Sequence, residues 1–191
     1  MKSFYRIFST ALLCVLLAAC SPQAAKQDLP ARPQRESIQR FSLEARIAIR
    51  QPGSSNTIRM NWEHAHNTDL IGFAGPLGNQ LAELQRDSLG ARWISADGER
   101  QEARDADQLL ARLTDTPLPL DSLALWALGR VSDRAENVQR DPDNRLLLAT
   151  DMGWTLRISR YENDTPNALP AMLEIEHDTL RIRLAIEAWQ L

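Results

Sequence analysis

Cysteine is scarce: the 191 residues hold two, Cys14 and Cys20, and none from residue 21 onward. Beyond residue 20 the chain therefore has no disulfide and no thiolate cluster for zinc, and core burial alone must hold whatever folds there. Basic runs are missing as well. The formal net charge is −3, and Lys and Arg nowhere form a block of five or six, which disfavours nucleic acid as a partner. The uncharged run from Ile7 to Ala19 spans 13 residues, too short for a helix to cross a hydrocarbon core ~30 Å thick. Neither usual kind of Gly-rich phosphate loop is present.

Catalytic sets are equally hard to assemble. Of the three histidines, His64 and His66 form an H-x-H beside Glu63, which reads as a pair of solvated residues in a polar turn between two strands. His177 sits in Glu-His-Asp at a strand end, where an edge or turn role fits. Asp105, Asp107, Asp141 and Asp143 are interspersed with Arg at turns and helix starts, the pattern of a soluble surface rather than of a paired acid and base. No catalytic residue, metal ligand set or cofactor is expected.

What is present begins at the N-terminus. Lys2 and Arg6 precede the apolar run ending in small residues, the layout of a signal peptide over residues 1–19. Leu17-Ala18-Ala19-Cys20 resembles the lipobox of bacterial lipoproteins. The resemblance implies a triacylated Cys20 as first mature residue, and Ser21 in place of Asp implies residence in the outer membrane. Cleavage would leave 172 of the 191 residues with a net charge of about −5, enough for one domain with a substantial core. Residues 20–40 are then the lipidated Cys and a flexible tether, rich in Pro, Gln, Ala and charge, and residues 41–191 the domain.

From Phe41 the pattern is strict alternation. Phe41, Leu43, Ala45, Ile47 and Ile49 fall on one face, with Ser42, Glu44, Arg46 and Arg50 on the other, which predicts a strand with one wet face. The cluster Pro52-Gly53-Ser54-Ser55-Asn56 predicts a turn, after which Ile58, Met60 and Trp62 alternate again to complete a hairpin. Further strands are expected at Asp69 to Ala74, Gln80 to Arg86 and Ala91 to Ala96. Between about 104 and 130 the period changes. Leu109, Leu110 and Leu113, then Leu120, Leu123, Trp126 and Leu128, recur at three- and four-residue spacing and predict two helices divided by Pro117-Leu118-Pro119, with Gly129 at the second's end. Strands resume at Arg145 to Thr150, Trp154 to Tyr161 and Ala171 to His177, and at Leu180, Ile182, Leu184, Ile186 and Ala188. The sum is one long, strongly bent antiparallel sheet with a helical insertion on its concave side.

The inward faces carry many large apolar side chains. They fit either a solid core or a curved wall around a lipid-sized cavity lidded by the Leu-rich helices. Leu77, between turn formers in Gly75-Pro76-Leu77-Gly78-Asn79, either folds back onto its own sheet or stands out into water or grease.

Several motifs in order resemble the outer-membrane lipoprotein receptor family LolB. They are the lipobox, Phe41-Ser-Leu-Glu-Ala-Arg-Ile-Ala-Ile49, Trp62, Pro76-Leu77-Gly78, Leu109-Leu110, Leu118-Pro119, Leu125-Trp126-Ala-Leu-Gly129, Gly153-Trp154, Tyr161, Leu169-Pro170, and Leu184, Ile186 and Trp189. One departure is Ala45, where the family strand usually has Gly. The resemblance implies an incomplete antiparallel barrel closed by a helical lid over a hydrophobic cavity. It also implies receipt of triacylated lipoproteins from the periplasmic carrier LolA, and their insertion into the inner leaflet of the outer membrane by a monomer that hydrolyses no nucleotide. On that basis Pro76, Leu77 and Gly78 form the membrane or transfer loop, and Trp62, Leu123, Trp126 and Trp154 are candidates to contact acyl chains. The alternative is an outer-membrane lipoprotein of the same shape that binds another lipid or serves as an envelope sensor or scaffold.

Overall fold

The computed structural model describes residues 32–114 and 116–191, so the expected signal peptide, Cys20 and the first part of the tether lie outside the described residues. Ala31–Leu191 forms one compact unit. Its strands are β1 (Arg40–Gln51), β2 (Ser54–Ala65), β3 (Thr68–Ala74), β4 (Gln80–Asp87), β5 (Gly90–Ser95) and β6 (Arg100–Ala103). Two helices follow, α1 (Ala106–Thr114) and α2 (Leu120–Ala127), and then β7 (Glu136–Arg140), β8 (Leu146–Asp151), β9 (Trp154–Tyr161), β10 (Pro170–His177) and β11 (Leu180–Gln190).

All the strands join one antiparallel sheet in the order β6-β5-β4-β3-β2-β1-β11-β10-β9-β8-β7. Sequence neighbours pair throughout except β6 with β7, and the first strand and the last meet in the middle. β6 and β7 are left as edges, and the helical segment runs between them. The expected incomplete, curved barrel with helices is what the chain forms.

Local chemistry explains the boundaries. Gly53 adopts φ 78° and reverses the chain in two residues, so Gln51 pairs with Ser54 and the expected turn residues Ser54 to Asn56 belong to β2. In β11 the register slips opposite Glu44 and Ala45, a bulge that leaves Glu187 unpaired. The slip corrects the expected parity: Ala188 is exposed and Trp189 turns inward instead. β6 and β7 were not legible in the sequence. Arg-Gln-Glu-Ala and Glu-Asn-Val-Gln-Arg carry no apolar alternation, because an edge strand needs charge more than it needs a buried face.

The helices are tied at their ends. Asp105 Oδ1 accepts the Asp107 N–H at 2.7 Å at the start of α1. Asp107 Oδ1 in turn accepts the Leu120 N–H at 2.8 Å, so α1 caps α2. At the far end of α2, Gly129 takes φ 73° and Arg130 N–H returns to Leu125 O at 2.9 Å, a glycine C-cap.

Residues 32–38, within the expected tether, make contacts with the rest of the domain. Arg32 pairs with Glu162 at 2.7 Å. Arg35, only 5% exposed, donates to Pro166 O at 2.7 Å and Ala168 O at 3.2 Å, and Ile38 is buried.

Because neighbouring strands alternate in direction, the turns sort into two rims. Residues 52–53, 75–79, 96–99, 152–153 and 178–179 gather at one rim. The turns at 66–67, 88–89 and 141–145, together with the segment held by Arg32 and Arg35, lie at the other.

Candidate functional site

The inward faces of β1 to β5 and of β10 and β11 do not meet in a solid core. They enclose with the helices a cavity of ≈ 510 Å³, within the range of small-ligand pockets. Its wall is Ile47, Met60, Trp62, Ile71, Leu84 and Trp93 on one side and Ile175, Ile182 and Leu184 on the other, roofed by Leu110 and Leu113 of α1, Leu118 in the linker, and Leu120 and Leu123 of α2. Gln51 and Thr114 are the only polar residues lining it among the described residues. Burial grades along the strands. Along β1, β2 and β3, Ile47, Met60 and Ile71 are buried, whereas Ile49, Ile58 and Phe73, one step nearer the first rim, are partly exposed and Gln51 is exposed. The cavity therefore opens toward that rim. A second hollow of ≈ 580 Å³ near the opposite rim is lined by Arg40, Glu63, Thr68 and Gln190 among others, a mixed surface unsuited to hydrocarbon.

At the first rim stands the β3–β4 loop. Gly75 N–H donates to Asn79 O at 2.8 Å and Gly78 N–H to Gly75 O at 2.9 Å, while Gly78 takes φ 85°. This tight loop lifts Leu77 clear of its sheet. Its side chain is 96% exposed, so of the two sequence alternatives it stands out rather than folding back.

The expected cavity residues separate into two groups. Trp62 and Leu123 line the cavity; Trp126 and Trp154 do not. Leu123 faces the cavity, but Trp126 lies one turn further along α2, where it packs against Trp154 with ring centroids 6.1 Å apart. Both indoles are fully buried. Trp126 Nε1–H donates to Asp151 Oδ2 at 2.9 Å, and Trp154 Nε1–H to Pro117 O at 3.2 Å. Sequence spacing gave these tryptophans an inward face without showing that the face turns away from the cavity. Met60 lines the cavity on the face that alternation gave to Trp62, whereas Ile71, Phe73, Leu84 and Trp93 are lining residues that the sequence left unassigned, since adjacent apolar pairs such as Leu70-Ile71 hide strand parity.

Trp62 at the cavity floor is fixed by a buried carboxylate. Asp69 accepts its Nε1–H at 2.7 Å, lies 2.8 Å from His64 Nδ1, and forms an ion pair with Arg86. Arg86 extends to Asp121 on α2, so one guanidinium joins the sheet to the lid. His64 is thereby corrected: it is a strand residue, stacked on Phe41 at 5.0 Å, not part of a solvated turn. His66 does occupy the turn, with φ 57°.

Asp151 plays the matching part beneath Trp126. Burial would raise its pKa, but the N–H and hydroxyl of Ser132 and the Trp126 indole more than offset this and hold it below the usual carboxylate value. A carboxyl lowered in the fold stabilises above its unfolded pKa near ~3.9 and loses that contribution as pH falls through the folded value. Asp151→Asn is expected to lower the thermal midpoint at neutral pH and to flatten the midpoint's dependence on pH below about 4. Parallel acid profiles of variant and wild type would contradict this.

Comparison with known proteins gives the fold a family. Residues 39–189 match the family described as outer membrane lipoprotein LolB. An outer-membrane lipoprotein LolB from Dechloromonas aromatica is 33% identical over 191 aligned residues, covering 96% of each chain. One from an Azoarcus species is 31% identical, covering 97% of each. A LolA superfamily protein from Nitrosomonas europaea superposes with a TM-score of 0.51 over 80% of this chain and 86% of that one. At 11% identity that is a likeness of fold alone. The matches span the curved sheet, the helices and the cavity they enclose: the chain belongs to the outer membrane lipoprotein LolB family and is lipid-anchored in the outer membrane, facing the periplasm, with a role in lipoprotein localisation.

Proposed function

We propose that the protein accepts triacylated lipoproteins from a LolA-like periplasmic carrier, holds their acyl chains in its cavity, and inserts them into the inner leaflet of the outer membrane through the Leu77 loop, as a monomer, with Cys20 carrying its own anchor. The observation that carries this reading is an apolar cavity of ≈ 510 Å³ opening at the rim on which Leu77 stands exposed. A scaffold of the same shape would have no use for such a hollow.

Physical chemistry supplies the reason for such a receptor. Three chains of about 15 CH₂ groups, at ~0.8 kcal/mol each, would cost on the order of 35 kcal/mol to release into water. Free diffusion is closed, and transfer must pass from cavity to cavity. Direction without nucleotide hydrolysis comes from differential affinity, at ~1.4 kcal/mol per tenfold preference of receiver over donor. In this reading Trp62 and Leu123, with Met60, Ile71 and the other lining residues, contact the chains. Trp126 and Trp154 stiffen the base of the lid behind them.

The test is transfer in vitro. A LolA-like carrier loaded with a fluorescent triacylated lipoprotein is mixed with the chain from residue 21 onward, and each is recovered by pull-down. The lipoprotein is expected to move to this protein; its retention on the carrier beside a folded receiver would overturn the assignment.

A further inference from the structure

Five residues other than glycine take positive φ among the described residues: His66, Asn137, Asn144, Met152 and Asp178. Four are of the types that tolerate the left-handed region, because a short polar side chain can bond locally there. Met152 is the exception. With Gly153 at φ 81° it makes a two-residue hairpin turn in which Asp151 pairs with Trp154, the setting that favours Asn-Gly. Methionine there is conformationally costly and also leaves a large apolar side chain 61% exposed. Neither cost serves the fold. The turn is held rigidly beneath, since Asp151 is locked by Ser132 and Trp126 and Trp154 is fully buried.

Position supplies the purpose. Four antiparallel steps from β1 through β11, β10 and β9 to β8 bring this turn to the same rim as the Leu77 loop. The strands β2, β1, β11 and β10 lie between the two hairpins, a separation of roughly 24 Å along the curved sheet. The cavity opens between them.

We infer that Met152 is a second bilayer contact, which together with Leu77 seats the cavity mouth on the membrane from two sides. This rests on the reading of Leu77 as the membrane loop. Two apolar tips across an opening fix its orientation where one would leave it free to pivot, so acyl chains leave directly into hydrocarbon. Leu89 makes an internal control: it is 89% exposed at a turn of the same sheet, but at the opposite rim.

The test uses the full lipidated chain in vesicles of phosphatidylethanolamine and phosphatidylglycerol containing nitroxide-labelled lipid. No cysteine follows residue 20, so Leu77→Cys, Met152→Cys and Leu89→Cys each introduce one site for a bimane fluorophore. Quenching is expected at 77 and 152 and not at 89. Quenching at 77 alone, or equal quenching at 152 and 89, would overturn the inference and leave the Leu77 reading standing; no quenching at 77 would overturn that reading itself. Met152→Asn adds a functional arm, since Asn suits the turn better than Met. The variant is expected to unfold at the same temperature or higher and to accept lipoprotein as before, but to deliver it to vesicles about tenfold more slowly. Delivery at the wild-type rate would count against Met152.

Discussion

Leu77→Glu is expected to slow delivery of lipoprotein into vesicles about a hundredfold while leaving the loaded protein folded and its cavity unchanged. The side chain is 96% exposed and touches nothing whose loss would unfold the domain, so stability should stay within about 0.5 kcal/mol of wild type. Membrane contact is another matter. Burying Leu is worth ~1.5–3 kcal/mol, and a carboxylate in its place replaces that gain with a desolvation penalty. Following a fluorescent lipoprotein from the loaded protein into vesicles gives the rate, and a thermal melt gives the control. Delivery by the variant at the wild-type rate would remove the loop from the mechanism.

The second large effect is on the fold. Asp69→Ala is expected to destabilise the domain by about 3–5 kcal/mol, a large part of the ~5–15 kcal/mol typical of a whole domain. Its side chain is wholly buried, and its removal strands the Trp62 indole N–H and leaves the Arg86 guanidinium without its inner partner. Asp121, Arg86's outer partner, is 77% exposed, so Asp121→Ala should cost no more than about 1 kcal/mol, as surface pairs do. Urea unfolding of the two variants measures both. Equal losses would mean that the link to α2, rather than the buried carboxylate, holds the network together.

Much of this architecture could be read from the chain because its strands have one wet face. Alternation over Phe41–Ile49 and Leu180–Ile186 gives strand, face and approximate length at once, and the change of period at Leu109 marks the helices. Reading failed where other forces dominate. The edge strands β6 and β7 bury little and so carry no apolar signal. The bulge at Glu187 moves Trp189 inward by backbone geometry that composition does not record. The turn that carries Leu77 was legible from the surrounding Pro and Gly, and the inward face of Trp62 from its alternation with Ile58 and Met60. That Trp126 and Trp154 pack on each other behind the lid was not legible, since a helix period tells which residues share a face and not what that face meets. The Asp69–Arg86 pair lies 17 residues apart in sequence, and only strand pairing brings it together.

The meeting of β1 with β11 at the centre of the sheet bears on how the chain acquires this shape. Arg50 pairs with Arg181 and Ser42 with Gln190, contacts between opposite ends of the domain. Their loop-closure entropy must be met before they contribute anything, which makes for a high contact order and slow folding. The hairpins on either side can form early, yet neither half can close its inner face until the C-terminal strand is present. A chain threaded through a membrane N-terminus first thus stays unlocked until its last ten or so residues emerge, and loss of that strand would leave two half-sheets with open, aggregation-prone edges rather than a smaller version of the same protein.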